Sequence, residues 1–351
     1  MGDWWADDFA QTYKDDATQE EALAAGERLL ACPDFPHQEQ LRKNLTYWLP
    51  KLPGTNHGIT IPVEEGWSCF NPSIAAGPDG ELRAIIRTAN YVMSSEGRYG
   101  GAYDREGVIR TENWIADIKD DLDAAMIYSP IVGNHLLLAA PRFPVIGFED
   151  CRLFYFGGWK FSATMRERNT RGICQQVMCD LDGNRAENLV ELSPAHDTHE
   201  KNWMPAQAGR YGPRWIRTCY PTYTWDQEDD GRVGQTSYLV RNFRGGSQVV
   251  DTERCAYLSV VHESVDFPGQ SPHRVYWHRF VEFLNIGQDG YVISAISQPF
   301  CFQRRGVEFA AGMALKDDDL IISYGVHDQS AWLHRIRLQD ALDMLHPVTE
   351  D

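Results

Sequence analysis

No apolar run in this sequence approaches the roughly 18 residues that a membrane-spanning helix needs. The opening stretch, Met1-Gly2-Asp3-Trp4-Trp5, lacks the basic start and apolar core of a secretory signal. Position 6 is Ala, where a myristoylation motif after Gly2 requires Ser or Thr. These absences point to the cytoplasm and away from a membrane. Close cysteine pairs are missing too. The eight cysteines, among them Cys69, Cys151, Cys174 and Cys255, are scattered, which excludes a zinc-finger spacing and a small disulfide scaffold and leaves reduced, mostly buried thiols. Positive charge is scarce, with 33 Lys and Arg against 50 Asp and Glu and a net charge of −17. Such a field repels nucleic-acid backbones and anionic lipid, so neither is an expected partner. A local basic cluster in so acidic a chain is correspondingly informative.

What is present is apolar material for a sizeable core, 43% of 351 residues. Residues 1 to 30 hold eight acidic and two basic residues, and Leu23, Ala24, Leu29 and Leu30 recur at helical spacing within the run Ala17 to Cys32. A second helical turn is expected over Leu41 to Trp48, before Pro50 and Pro53 break the pattern. Residues 1–57 therefore read as an acidic helical arm, either packed loosely on the main domain or binding a protein partner. Over 58–351 the character changes to short apolar runs between turn residues, such as Leu82 to Ile86 after Pro78-Asp79-Gly80 and Leu320 to Tyr324 after Lys316-Asp317-Asp318-Asp319. These are β-hairpins.

Overlaying the hairpins exposes a weak repeat. Five polar motifs open them: Phe70-Asn71-Pro72, Phe148-Glu149-Asp150, Lys201-Asn202-Trp203-Met204-Pro205, Arg244-Gly245-Gly246-Ser247-Gln248 and Val307-Glu308-Phe309-Ala310-Ala311-Gly312. Asn71 to Arg87, Asp150 to Arg166, Gly246 to His262 and Glu308 to Tyr324 are each separated by 16 residues, and Asn202 reaches Tyr220 in 18. Two strands and a tight turn bring the chain back to where the hairpin began, so each such pair should be neighbours. Five units of this kind fit an all-β, five-bladed β-propeller with the polar residues ringing one axial mouth. A β-sandwich also has short strands, but it does not account for five polar motifs in similar register.

That mouth would gather Asn71, Glu149, Asp150, Arg152, Asn202, Gln248, Glu308 and Asp328, with Trp203, Tyr220 and Tyr324 as aromatics and Arg87, Arg166, Lys201 and His262 as cations. Carboxylates beside amides and aromatic rings suit a sugar, whose hydroxyls need donors and acceptors and whose ring face stacks. The added cations suggest phosphate or a sugar phosphate. No metal or other cofactor is expected. His196-x-x-His199-Glu200 lacks the glutamate between its histidines that a zinc protease needs, and Pro194 places it in a loop.

The set Asn71-Pro72, Glu149-Asp150-x-Arg152, Lys201-Asn202-Trp203, the strand ending in His262, and Tyr324-Gly325-x-x-Asp328 resembles the β-mannoside phosphorylases and hydrolases of glycoside hydrolase family 130 and the similar mannosyltransferase-phosphorylases. The resemblance spans residues 60 to 335 and implies a five-bladed propeller. It also implies inverting phosphorolysis of a β-mannoside, releasing α-mannose 1-phosphate, or the reverse transfer. It makes Asp150 the general acid and gives the phosphate to Arg87 and His262, with Lys201 and Arg166 or Arg168 as further ligands. Cys151 stands where the family usually has proline, and the Arg244–Gln248 block has no counterpart in the family pattern. A hydrolase would need an additional base, for which Glu308 or Glu263 are candidates. A non-catalytic glycan-binding or docking propeller is the reading from another class, and a plain ion pair between Asp150 and Arg152 is the structural alternative at the motif itself.

Overall fold

A computed structural model describes the chain except for residues 1–2, 95, 98, 101–106, 123–126, 194–196, 207–211, 226–231, 235–236, 253–255, 287–289 and 349–351. Among the described residues no helix is long and apolar enough to cross a membrane. The apolar runs form five antiparallel sheets around one axis. Blade 1 is built from Ser68–Ala76, Leu82–Ala89, Ile109–Ile118 and Ile127–Pro130, and blade 2 from Glu149–Tyr155, Trp159–Met165, Gln175–Asp182 and Arg185–Glu191. Blade 3 comprises Met204–Ala206, Arg214–Cys219, Thr222–Trp225 and Arg232–Gly234. Blade 4 runs from Arg244–Gly245 and Val250–Asp251 through the long strands Ala256–Asp266 and Arg274–Asn285 to Tyr291–Ser297, with Leu345–Pro347 at its outer edge. Blade 5 has Glu308–Lys316, Asp319–Val326 and Ser330–Arg337 from one end of the chain and takes its outermost strand, Thr55–Ile59, from the other. That strand straddles the expected boundary at 57, so the arm and the ring share one element.

Each gap between blades holds its own apolar cluster, as stacked sheets buried on both faces require. Ile74 and Ile86 of blade 1 meet Ile321 and Leu333 of blade 5, while Ile85 meets Leu153 and Phe161 of blade 2. Phe154 and Met178 face Trp203 and Trp215, Met204 and Ile216 face Val261 and Val281, and Leu258 and Phe280 face Met313 and Ile322. Near the axis the ring is stitched by polar groups instead. The Ser73 hydroxyl accepts from Leu153 N and the Ser323 hydroxyl from Ile74 N, both at 2.9 Å. Gln248 donates to the carbonyls of Ile74 and Met313.

The arm folds into α1 (Ala6–Gln11), α2 (Gln19–Leu30) and α3 (Gln38–Leu45). Thr18 and Glu21 form a reciprocal capping box that fixes the start of α2. Its apolar face, Leu23, Leu29 and Leu30, packs with Phe35, Leu41 and Leu45. The helices are docked on blade 4: Arg279, 1% exposed at its side chain, pairs with Glu27 at 2.5 Å, and Arg42 reaches Glu263 at 3.3 Å. Burial pushes the Glu27 carboxyl up, but Arg279 and His346 outweigh it and hold it below its ordinary value. Leaving one partner of a buried pair unmatched costs about 3–5 kcal/mol. Glu27→Ala should therefore lower unfolding stability by about 3 kcal/mol in urea titration, and an unchanged midpoint would mean that the arm is not a structural part of the ring.

Candidate functional site

The inner strands of blades 1, 2 and 3 open on residues in left-handed backbone, Asn71 (φ 45°), Asp150 (φ 47°) and Asn202 (φ 63°). Asn and Asp tolerate this conformation best among residues with a side chain, which explains the recurrent type at these positions. At Asn71 and Asp150 the strand also bulges: the ladder shifts between Phe70 and Ser73 and opposite Ser162 to Thr164. The bulges turn both side chains toward the axis. Glycine makes room for them, since a Cβ on Gly325 would fall 2.1 Å from Asn71 Oδ1 and one on Gly245 2.0 Å from Asn202 O.

These residues line a pocket of about 460 Å³ at one axial mouth, together with Arg87, Glu149, Arg166, Lys201, His262 and Asp328. At the opposite mouth a cavity of about 380 Å³ is lined mainly by apolar groups such as Phe154, Phe156, Pro205 and Leu315, and it offers little chemistry. In the polar pocket one Asp150 oxygen accepts from Arg87 Nη1 at 2.7 Å and from Asn71 Nδ2 at 3.0 Å. Arg87 also lies 3.4 Å from Glu149, whose other oxygen is 3.7 Å from Arg166 Nε. Asp328, itself at φ 52°, accepts from the Tyr91 hydroxyl at 3.0 Å. Arg152 lies beneath the floor, bonded to the carbonyls of Asp150 and Gly246 and to Asn202 Oδ1. It supports Asp150 through the backbone rather than by a side-chain ion pair.

The three carboxylates differ in their proton affinity. Burial raises Asp150, but Arg87, Arg152 and the Asn71 hydrogen bond overcome it and bring its pKa down to about 2. Burial dominates at Glu149 and Asp328 and raises both, with Arg87 opposing it and Asp150 adding to it. His262, 4% exposed, is held neutral: burial first, then His278, Arg152, Lys201 and Arg244 drive its pKa well below the ordinary value. It therefore enters the site as a hydrogen-bonding imidazole and not as the cation expected from sequence, and its Nδ1 has no hydrogen-bond partner.

The side chains of Lys201 and Arg244, both exposed, make no hydrogen bond or ion pair among the described residues. Gly245 packs against the backbone of Asn202, Lys201 and Arg244 both act on His262, and Lys201 and Arg166 both act on His199 and on Cys174. The pocket is therefore divided. Lys201 and Arg244 come from blades 3 and 4, Asp150 and Glu149 reach from blade 2 to Arg87 of blade 1, Asp328 of blade 5 bonds Tyr91 beside them, and Arg166 of blade 2 bridges the two groups through Glu149.

Seven residues expected at the mouth or as phosphate ligands lie outside this pocket, among them Tyr220, which is exposed and meets the Tyr238 ring edge-on at 6.1 Å. Arg152 is the buried support already described. Glu308 is buried and accepts from the backbone N–H groups of Phe302, Gln303 and Arg304. Tyr324 stacks on Phe302 at 4.2 Å and donates to Asn56. Trp203 donates to Glu200 within the core between blades 2 and 3, and Gln248 is spent on the axial stitching. Arg168 pairs with Glu191 at 2.6 Å. Glu263, the other base considered for hydrolysis, points to the arm and accepts from Trp277. Conversely, Tyr91, His273, Arg274 and Tyr276 line the pocket unexpectedly, as do Arg244 and Phe309, which belong to the opening motifs but were not expected in the mouth. Of the rejected histidine motif, His196 lies outside the described residues and His199 Nδ1 accepts from Cys174 N at 3.1 Å.

No protein-family model and no curated protein matches the sequence. Solved structures match the fold. β-1,2-Mannobiose phosphorylase from Listeria innocua, in complex with β-1,2-mannobiose, aligns at TM-score 0.53 and 14% identity over 81% of this chain and 94% of that one. A structure from the family-130 mannoside phosphorylases, described as containing hydrolases that target β-1,2 mannosidic linkages in Candida mannan, aligns at 0.53 and 12% over 86% and 99%. A mannose phosphorylase from Leishmania mexicana in complex with phosphate ion aligns at 0.51 and 11% over 90% and 96%. The chain thus has the five-bladed propeller fold that β-mannoside phosphorylases and hydrolases share.

Proposed function

We propose that the protein catalyses inverting phosphorolysis of a β-mannoside, or its reversal, at this pocket. The observation that carries the reading is the division of the pocket, with the unpaired cations Lys201 and Arg244 facing a carboxylate cluster. Phosphate has its natural counter-ions in Lys201 and Arg244, with Arg166 shared between it and Glu149 and His262 donating from behind. A mannosyl ring between the two halves would have C1 turned to the phosphate and the glycosidic oxygen turned to Asp150. A phosphate oxygen then forms the new bond to C1 as the C1–O bond to the leaving group breaks on the opposite face. The proton of Asp150 passes to the departing oxygen, and the inverted product is α-mannose 1-phosphate. A single acid suffices because phosphate is itself the nucleophile.

Asp150 is ionised before substrates bind, so it must gain its proton when they do. Phosphate brings negative charge into the pocket and the sugar excludes water, and both raise a carboxyl pKa. Arg87, Asn71 and Arg152 then stabilise the carboxylate that proton donation leaves behind, which favours the transition state over the protonated ground state. This division of labour moves the phosphate away from Arg87, whose charge Asp150 and Glu149 already use. Hydrolysis finds less support, because Glu308 and Glu263 do not reach the pocket. The test is whether consumption of a β-mannoside requires orthophosphate.

A further inference from the structure

The rim of the pocket is uneven. Blade 3 returns with a turn of two residues, Tyr220 and Pro221, between Arg214–Cys219 and Thr222–Trp225, leaving its side low. Blade 4 carries the two longest strands among the described residues, 11 and 12 residues, and its hairpin ends over the pocket with His273, Arg274 and Tyr276 on the lining. The connection between the second and third strands of blade 1 pairs Val92–Met93 with Tyr99–Gly100 and includes Gly97, at φ 81°. These projections meet: a Cβ on Gly97 would fall 2.4 Å from the His273 ring, so backbone and imidazole are in contact. Blade 5 joins them where Gln329 Nε2 donates to Met93 O at 3.1 Å. Among the described residues these contacts join blades 4, 5 and 1 into a wall with Met93, Gly97 and His273 on its inner surface.

The wall rises beside Asp328 and Tyr91, next to the blade 1 residues Arg87 and Asn71 that hold Asp150, while the low rim belongs to blade 3, which Lys201 precedes. In-line displacement puts the leaving group opposite the attacking phosphate, hence on the side of the acid and against the wall. We infer that the leaving group is short, a single sugar or similar small alcohol, and that the wall of Met93, Gly97 and His273 excludes longer β-mannan chains. This rests on the phosphorolysis reading for the orientation of the substrate.

The test is calorimetric binding of β-mannobiose and β-mannotetraose of the same linkage to the intact protein in phosphate-free buffer. The disaccharide should bind at least about 10-fold more tightly, a difference that steric exclusion alone supplies. Met93→Ala with His273→Ala should bring the two within about threefold by admitting the longer chain. Tetraose binding equal to or tighter than mannobiose in the unmodified protein would overturn the inference while leaving phosphorolysis standing. An unchanged preference in the double variant would show that the wall is not its cause and would overturn it too. Binding of neither sugar would instead remove the glycoside reading on which it rests.

Discussion

Asp150→Asn should reduce turnover of an unactivated β-mannoside by about 100-fold or more, the usual scale for loss of a general acid. Asparagine keeps the shape, tolerates the left-handed backbone at this position and can still accept from Arg87 and Asn71 through its amide oxygen, so the pocket should remain assembled. A mannoside with an activated aryl leaving group needs little protonation and should recover most of the lost rate. Stability gives a second readout. Because the native pKa of about 2 lies below the ordinary 3.8, the contribution of the Asp150 charge is present above pH 3.8 and is lost as pH falls through 2. The stability gap between the parent and Asp150→Asn should therefore be flat at neutral pH and close in acid. Near-normal turnover of the unactivated substrate by the variant would remove Asp150 from the mechanism, and Asp328 and Glu149, both shifted toward protonation by burial, would become the carboxylates to test.

Lys201→Ala and Arg244→Ala should each raise the KM for phosphate by roughly 10-fold or more, since a charge-assisted contact contributes about 1.5–3 kcal/mol. The pair combined should exceed either alone, and the effect should shrink at high salt because both groups are exposed. Neither side chain bonds to the rest of the described protein, so the melting temperature should stay where it is. Arg87→Ala is a poorer probe of the same question, because it also strips Asp150 and Glu149 of their counter-ion. An unchanged phosphate KM in both single variants would place the anion elsewhere.

The polar openings of the inner strands were legible because one backbone problem recurs there. A bulged, left-handed position at the axis selects Asn or Asp, and it marked Asn71, Asp150 and Asn202. Short apolar runs between turns likewise announced the blades. The fixed offset of 16 was less reliable, because a bulge changes which residues face each other. Blade 5 sets Tyr324 opposite Ala310, two positions beyond Glu308, and blade 4 sets His262 opposite Arg244, two positions before Gly246. That slip drew in Glu308, Tyr324 and Gln248 and passed over Arg244. Period-two alternation from His262 would have reached Ser264 and, across the ladder, Tyr276. Tyr91 and His273 sit in connections whose course depends on contacts between distant blades, and no local pattern announces them. The docking of the arm was hidden for the same reason, since Glu27 finds its partner Arg279 252 residues away.

The central claim is that phosphate, and not water, is the nucleophile. Purified protein should be incubated with β-mannobiose in buffer with and without orthophosphate, and the products followed by proton and phosphorus NMR. The account predicts no consumption without phosphate and, with it, equal amounts of α-mannose 1-phosphate and mannose, the α anomer reporting inversion at C1. Release of free mannose alone, at a rate indifferent to phosphate, would contradict it.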